Sequence, residues 1–249
     1  MIRSLGSTHR AFLFRDYFAI LDLMNDIIQL RGNLVHHHAL IEGDCVHLLD
    51  GGFLGGIARI KSFLQSRDLD FTSIKNIIIS HGHLDHTANI AHLQELSGCQ
   101  VHAPERDRDL ISGYHHYEGL NKIGGLLERL GANLTKHRIP QVDHWLQEGD
   151  TLNLLGGLEV IALPGHTPGH CGFLQRQRGL LFANDLFSNQ IGRPKPPPRI
   201  FNDNHEEALA SIIKAAELPI DSVFLNHEKK ESPADTLFAL KQLALSLPL

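Results

Sequence analysis

Hydrophobic and polar positions along the chain switch between the period of strands and the period of helices. Residues 33–52, NLVHHHALIEGDCVHLLDGG, predict two strands around a turn at Glu42, Gly43 and Asp44. Residues 55–68 have apolar side chains at helical spacing, and the apolar run at 74–80, IKNIIIS, predicts a strand buried on both faces. The first half of the chain is therefore expected to run strand, helix, strand.

The same reasoning predicts further helices and strands. A helix is expected over TANIAHLQELSG, with Thr87 capping its start and Gly98 its end, and a second, weakened by internal glycines, over residues 119–132. Strands are expected in residues 99–105, 150–165, 172–185 and 221–228, with a helix at 205–218. Because helices and strands mix in two successive halves, the fold class is predicted to be layered α/β, with sheets sandwiched by helices.

Composition fits one folded domain over residues 1–249. Apolar residues make up 42% of the chain and charged residues 20%, and no long linker divides it. The formal charge is -5 and the basic residues are scattered, which argues against nucleic-acid binding. The N-terminal segment has no uninterrupted apolar run, so neither export nor a membrane span is expected. Three widely spaced cysteines indicate a reducing, cytoplasmic setting.

Histidine is the unusual residue, with 18 in 249 positions, and the densest cluster is HGHLDH at 81–86. On an extended or looped backbone His81 and His83 point to the same side, whereas on a helix they would diverge. Asp85 and His86, past a turn, would face a second point nearby. Neutral imidazoles suit zinc, iron and similar ions, and an added carboxylate suits a second site for a harder metal ion. A metal cluster with two sites is therefore predicted.

Further ligand types stand where predicted strands end. His166 follows VIALPG, Asp185 follows LLFAN, and His227 follows SVFLN. Functional groups are commonly held on loops at the ends of rigid strands. Because all three follow HGHLDH in the chain, we expect them to belong to the same metal cluster.

The chain resembles the metallo-β-lactamase-fold hydrolase superfamily. The resemblance runs through the strand-end Asp50 and the motifs HGHLDH, LPGHTPGH, FANDLF and LNHE, over about seven-tenths of the chain. It implies a four-layer αββα sandwich with two divalent metal ions at one edge, zinc foremost and iron or manganese as alternatives. The implied ligands are His81, His83 and His166 for the first metal, Asp85, His86 and His227 for the second, and Asp185 as the bridge.

The resemblance also implies roles around the metals. Asp50 would support the ligand loop through hydrogen bonds. A hydroxide between the metals would attack the substrate, and Asp85 would orient it or pass its proton to the leaving group. Asn184 and Asn226 occupy positions where the family usually has glycine. Asparagine is the residue that best tolerates the positive φ that glycine there would provide.

For the substrate, the sequence favours a small ester, thioester or lactone. A dedicated glutathione thioesterase is less expected, since only 22 residues follow His227, and NDLFSNQ lacks the tyrosine of quorum-signal lactonases. True β-lactamases of the three-histidine type usually lack the bridging aspartate. A mononuclear iron enzyme similar to persulfide dioxygenases and a non-catalytic metal-binding protein remain as alternatives. The expected partner is a small molecule, not nucleic acid or membrane, and a homodimer is left open.

Other segments have competing interpretations. Tyr114 and Tyr117 in SGYHHYEG are interpreted as exposed loop residues, and the alternative is that they form a wall of the site. Arg193 and Lys195 in GRPKPPPR are interpreted as part of a rigid surface connection, and the alternative is that they bind an anionic substrate. Cys171 is expected to be a buried thiol. A metal cluster at the histidines 36–38 is judged improbable, because alternate strand residues face opposite sides. Packing roles are expected for Trp145 and for the amphipathic stretch near residue 20.

Overall fold

The computed structural model describes residues 26–248 except 33, 191–192 and 229–231, so the stretch near residue 20 lies outside the described residues. The described strands are β1 Ile27–Leu30, β2 His37–Glu42, β3 Cys45–Leu49, β4 Ile74–Ile78, β5 Gln100–Pro104, β6 His144–Leu146, β7 Thr151–Leu152, β8 Leu158–Ala162, β9 Cys171–Gln175, β10 Leu180–Asn184 and β11 Ser222–Leu225. The described helices are α1 Gly56–Gln65, α2 Leu84–Thr87, α3 Ile90–Ser97, α4 Arg108–Ile111, α5 Asn121–Thr135, α6 His205–Ala216 and α7 Pro233–Ser246.

The strands form two sheets. One has six strands in the order β1-β2-β3-β4-β5-β6. Strands β3 to β6 run parallel to one another, whereas β2 pairs antiparallel with both β1 and β3. The other has five strands in the order β11-β10-β9-β8-β7, and only its β10–β11 pair is parallel. The first sheet holds the first half of the described chain and the second sheet the other half.

Neighbouring residues on each strand face different layers, as strand geometry requires. On β3, Leu48 packs in a core with α1 and α3, whereas Leu49 packs in the core between the sheets. On β9, Phe173 faces the sheet interface and Leu174 faces α6 and α7. These three cores confirm the α/β prediction: helices, sheet, sheet and helices form four layers.

The predicted start of one helix is wrong. Thr87 does not cap the helix that carries residues 90–97, because it lies inside the separate short helix α2, where its hydroxyl donates to the His83 carbonyl. Asn89 precedes α3 instead, and its amide donates to the carbonyls of Gly51, Gly52 and Phe53. Gly98 ends α3 in the left-handed conformation, with φ 68°, as predicted.

Several loops meet at one edge of the sandwich. Asp50 directly follows β3, HGHLDH follows β4, Asp185 follows β10 and the loop with His227 follows β11. This edge is where the functional side chains gather. Among the described residues no helix is both long and apolar enough to cross a membrane.

Candidate metal centre

His81, His83 and His166 form one compact group of ring nitrogens. The first two stand on the irregular loop between β4 and α2, with ring centroids 4.9 Å apart, and His166 comes from the loop after β8. His83 Nδ1 and His166 Nε2 are 3.0 Å apart. One nitrogen from each ring lies within 4.8 Å of the others, so the three could hold a metal ion.

Asp85, His86, Asp185 and His227 form a second group that meets the same distance limit. Asp85 and His86 lie in the first turn of α2, and the other two follow β10 and β11. Asp85 Oδ2 lies 3.5 Å from His227 Nε2 and 3.7 Å from His86 Nε2. Carboxylate and imidazole donors together suit a divalent cation.

The Asp185 carboxylate lies between the two groups. Its Oδ2 is 3.0 Å from His227 Nε2 and 3.4 Å from His86 Nε2 in the second group. The same oxygen is 3.6 Å from His166 Nε2 and 4.0 Å from His81 Nε2 in the first. One carboxylate is thus placed to reach ions in both groups.

In four of the five histidine rings of the cluster, the nitrogen that points away from the cluster lies beside an oxygen acceptor. In each pair the ring nitrogen is Nδ1, and the pairs are His81 with Ser80 Oγ (3.0 Å), His86 with Asp50 Oδ2 (2.8 Å), His166 with Asn202 Oδ1 (3.0 Å) and His227 with the Leu34 carbonyl (2.8 Å). A proton on the outer nitrogen leaves a lone pair on the inner one, which is the arrangement of metal-binding histidines.

Asp50 joins three segments of the site. Its left-handed backbone, with φ 65°, turns the chain after β3, and its side chain is fully buried. One oxygen accepts from the Ser80 N–H, and the other accepts from the Ser80 hydroxyl, His86 Nδ1 and Asn226 Nδ2, all at 2.8 Å. Asp50 therefore links the start of the HGHLDH loop, His86 and the loop after β11.

The two asparagines behave differently. Asn184 has φ 53°, the left-handed conformation that was expected, whereas the described Asn226 is not among the residues of positive φ. Its amide nitrogen instead donates to Asp50 and lies 3.2 Å from His86 Nδ1. The expectation of a glycine-like backbone is therefore wrong at Asn226, where the side chain supplies contacts that glycine could not.

Burial and charge shift the protonation of the cluster. Burial holds the pKa of His81 well below its usual value. Burial opposes protonation of His227 too, but the Asp185 and Asp85 carboxylates outweigh it and raise the pKa of His227 to about 10. Burial would raise the pKa of Asp85, but His86 and His227 lower it to about 2. Neutral imidazole and ionised carboxylate, as at His81 and Asp85, are the forms that bind metals.

Unpartnered polar atoms inside the cluster fit bound cations. His81 Nε2, His86 Nε2 and Asp185 Oδ1 are buried and have no hydrogen-bond partner among the described residues. Buried polar atoms without partners are rare, and those of a metal site are explained by the ion. The donor set and its geometry therefore suit two divalent metals.

Sequence reasoning missed Asp107, which ties two of the loops together. This buried side chain accepts from the Gly82 N–H (2.8 Å), the Thr167 hydroxyl and the Gly169 N–H (2.6 Å each). Burial raises its pKa. Asp107 stands just after β5, so the strand-end rule that found Asp185 would have found it as well.

Glu128 on α5 was also missed. Its side chain lies beside the first histidine group, with Oε1 3.9 Å from His83 Nε2, and accepts from the Leu84 N–H at 3.2 Å and from the Tyr117 hydroxyl. Burial raises its pKa. Nothing in the helical spacing of residues 119–132 distinguishes this glutamate from a solvent-facing one.

A cavity of about 580 Å³ opens beside both groups. Residues of the two groups that line it include His83, Asp85 and His227. The rest of its lining is mainly apolar, comprising Leu34, Phe53, Leu84, Leu127, Phe187, Phe201 and residues 196–198 among others. Arg193 and Lys195 also line it, so the Pro-rich segment faces the site and is not only a surface connection.

Of the remaining sequence interpretations, those for Tyr114, Cys171 and Trp145 agree with the structure and that for Tyr117 does not. Tyr114 is 77% exposed, as expected, but Tyr117 is half-buried and lines a small cavity next to His83 and His166, so the exposed-loop interpretation is wrong for it. Cys171 is buried and free, as predicted. Trp145 packs partly buried against the core with α1 and α3, as predicted.

Comparison with known proteins identifies the family. The model of the metallo-beta-lactamase superfamily matches residues 34–227. The chain belongs to this superfamily. Within it, the hydroxyacylglutathione hydrolase GloC of Haemophilus influenzae is 30% identical over 183 residues, covering 70% of this chain and 74% of that protein. The probable metallo-hydrolase YflN of Bacillus subtilis is 27% identical, with 72% and 74% covered.

The superfamily fold is also found in solved structures. A metallo-beta-lactamase family protein from Thermus thermophilus superposes with a TM-score of 0.69 at 20% identity, covering 88% of this chain and 77% of that one. Such low identity shows the shared fold alone. The match to the hydroxyacylglutathione hydrolase of Marinomonas sp., 29% identical, covers 63% of this chain and about half (48%) of that protein. The match to the superfamily model and the hydrolase relatives establish that this chain is a metal-dependent hydrolase.

Proposed function

We propose that this protein hydrolyses a small ester, thioester or lactone at a two-metal centre. The observation that carries the proposal is the position of Asp185 Oδ2, within 4.0 Å of ligand nitrogens from both groups. A carboxylate at this point could contact both ions and help hold them at the separation at which two metals act on one substrate.

In this proposal His81, His83 and His166 hold one cation, Asp85, His86 and His227 hold the other, and Asp185 contacts both. Zinc is the expected metal, since imidazole and carboxylate ligands suit it, with iron or manganese as alternatives. Such ions, when bound, supply Lewis acidity that polarises an acyl oxygen and acidifies water.

Side chains of this protein orient the ligand rings and move the proton in the proposed reaction. Outer acceptors such as Asp50 fix which nitrogen of each ring carries the proton. Asp85 is the proposed acid–base residue, because its side chain is 32% exposed at the cavity while the Asp185 side chain is 7% exposed. Its carboxylate would take the proton of the attacking water and deliver it to the leaving group.

The cavity supports a substrate with a sizeable apolar part. Its mainly apolar lining and its volume of about 580 Å³ fit a small organic molecule. Among the three substrate types, relatives named hydroxyacylglutathione hydrolases favour the thioester. A cytoplasmic location, consistent with three free cysteines, is part of the proposal.

Turnover by metal-loaded protein tests this function. We expect hydrolysis of thioesters, p-nitrophenyl esters or lactones that a chelator abolishes and zinc restores. Absence of turnover on all of them, with two metals bound, would favour the non-catalytic alternative.

Replacement of His227 by alanine separates the hydrolase from the mononuclear iron oxygenase. His227 belongs only to the second group, so a one-iron enzyme should keep its metal and its activity. A two-metal hydrolase should instead lose most turnover and one equivalent of metal, as elemental analysis would show. Full activity in this variant would contradict the proposed function.

A further inference from the structure

We infer that Glu128 is a positioning residue for His83, holding that ring in the tautomer that binds metal. The inference rests on the proposed two-metal site and adds the contribution of α5, which carries none of the seven proposed ligands.

His83 differs from the other four rings of the cluster. Its inner nitrogen is Nδ1, which faces His166 Nε2 at 3.0 Å, so its outer nitrogen is Nε2. The outer nitrogens of the other four rings lie within 3.0 Å of an oxygen acceptor. The acidic oxygen facing His83 Nε2 is Glu128 Oε1, at 3.9 Å. The gap exceeds a hydrogen bond by about 1 Å, so the bond that we infer requires His83 and Glu128 to lie about 1 Å closer than they do here.

The Glu128 carboxylate is itself held in place. The Tyr117 hydroxyl donates to Oε2 and the Leu84 N–H donates to Oε1 at 3.2 Å. A carboxylate has about four lone-pair sites, so Oε1 can accept from His83 in addition. The side chain is 21% exposed, which limits competition from water.

Glycines explain how α5 comes so close. A Cβ at Gly131 would lie 2.7 Å from Leu84 Cδ2, one at Gly125 2.3 Å from the Tyr117 ring, and one at Gly124 2.4 Å from the Ile200 carbonyl oxygen. Gly124, Glu128 and Gly131 are spaced by four and three residues, so they share one face of the helix. The glycines that weaken α5 as a helix are thus the positions at which it contacts the site, with Glu128 between them.

The physical consequence concerns the proton on His83. If Nε2–H donates to Glu128, the lone pair stays on Nδ1, and the ring cannot turn away without losing that bond. Loss of an outer hydrogen-bond partner typically weakens metal binding about 10–100-fold.

Zinc affinity, measured on the full chain by chelator competition, tests the role without requiring turnover. We expect Glu128→Ala to bind the metal about 10–100-fold more weakly, with the melting temperature of the metal-free protein little changed. Glu128→Gln should lose less, because its amide oxygen still accepts from both N–H groups. Glu118→Ala, at an exposed position on the loop before α5, is the matched control and should bind as the wild type does.

Three results would overturn the inference. They are unchanged affinity in Glu128→Ala, a loss of affinity that only accompanies a lower melting temperature of the metal-free protein, and a wild-type chain that binds no zinc. If the wild type binds zinc and Glu128→Ala weakens it, but no ester, thioester or lactone is hydrolysed, the positioning role stands and the proposed function fails.

Discussion

Asn184 adopts a left-handed backbone, and the next residue directs its carboxylate between two groups of ligands. Asparagine accepts this conformation at a lower cost than other non-glycine residues. Its amide also donates to the Cys171 carbonyl at 2.9 Å, a contact that glycine could not make. At the residue scale, one unusual backbone angle thus places the proposed bridging oxygen.

Asp185→Asn tests that oxygen. The substitution keeps the shape but removes the charge that faces His86 and His227. We expect the protein to keep one metal at most and turnover to fall at least about 100-fold, measured by elemental analysis and kcat. Asp44→Asn, in the exposed β2–β3 turn, should change neither. Two metals and normal turnover in Asp185→Asn would remove the bridging role.

The cations of the Pro-rich segment give a second residue-scale prediction. Arg193 and Lys195 line the cavity, and two backbone hydrogen bonds to Ser188, both 2.9 Å, fix Lys195. Replacing either cation with alanine should raise KM for a carboxylate-bearing substrate about two- to fivefold, the effect of an exposed ion pair. KM for a neutral substrate should not change.

Arg199→Ala is the matched control, because this cation belongs to the same segment but not to the cavity lining. If all three variants shift KM equally, or none does, the cations do not bind substrate.

At the element scale, regular apolar patterns predicted most of the strands and helices, but helix α7 over Pro233–Ser246 was not predicted from the sequence. Strand β4 and helix α6 follow from the apolar pattern alone, and all seven proposed ligands could be named because they sit in one motif or stand where predicted strands end. Local patterns could not show that Asn89 would replace Thr87 before α3, because its partners are carbonyls 36–38 positions away. Glu128 was missed for the same reason: its contacts depend on how α5 packs.

Strand β2 carries a pH-sensitive feature in the core between the sheets. His38 is fully buried, its ring packs edge-on to Phe182 and Phe224 at 5.5 and 5.2 Å, and neither nitrogen has a partner among the described residues. Burial lowers its pKa to about 3, against 6.5 for a free histidine. Between those values the unfolded chain binds a proton that the folded chain does not, so stability falls as the pH drops below 6.5.

His38→Phe should therefore reduce, by the share of one proton, the loss of stability between pH 6.5 and 4, to which buried His37 and His170 also contribute. The measurement is the urea midpoint of metal-free protein against pH, compared with the wild type. His92→Gln, at a half-exposed site on α3, should leave the profile as it is. A His38→Phe profile parallel to the wild type would show that this ring does not titrate on unfolding.

At the scale of the whole molecule, metal binding and folding are coupled because the seven proposed ligands come from both sheets. An ion that binds only the folded state stabilises it by about 2.7 kcal/mol when the free ion concentration is one hundred times the dissociation constant. Metal-free protein should therefore melt several degrees lower than protein reloaded with zinc, as differential scanning calorimetry would show. Equal melting temperatures would contradict tight binding at these side chains.

Asp50 has a consequence for the order of events during synthesis. Its carboxylate receives hydrogen bonds from Ser80 and His86, and from Asn226, which is 176 positions later in the chain. Contacts of such long range form late, after the entropy of closing a large loop has been overcome. The cluster is therefore complete only when residues up to His227 have left the ribosome and both sheets have met. Unlike a zinc finger, whose metal drives folding, this protein is expected to acquire its metals as a finished scaffold.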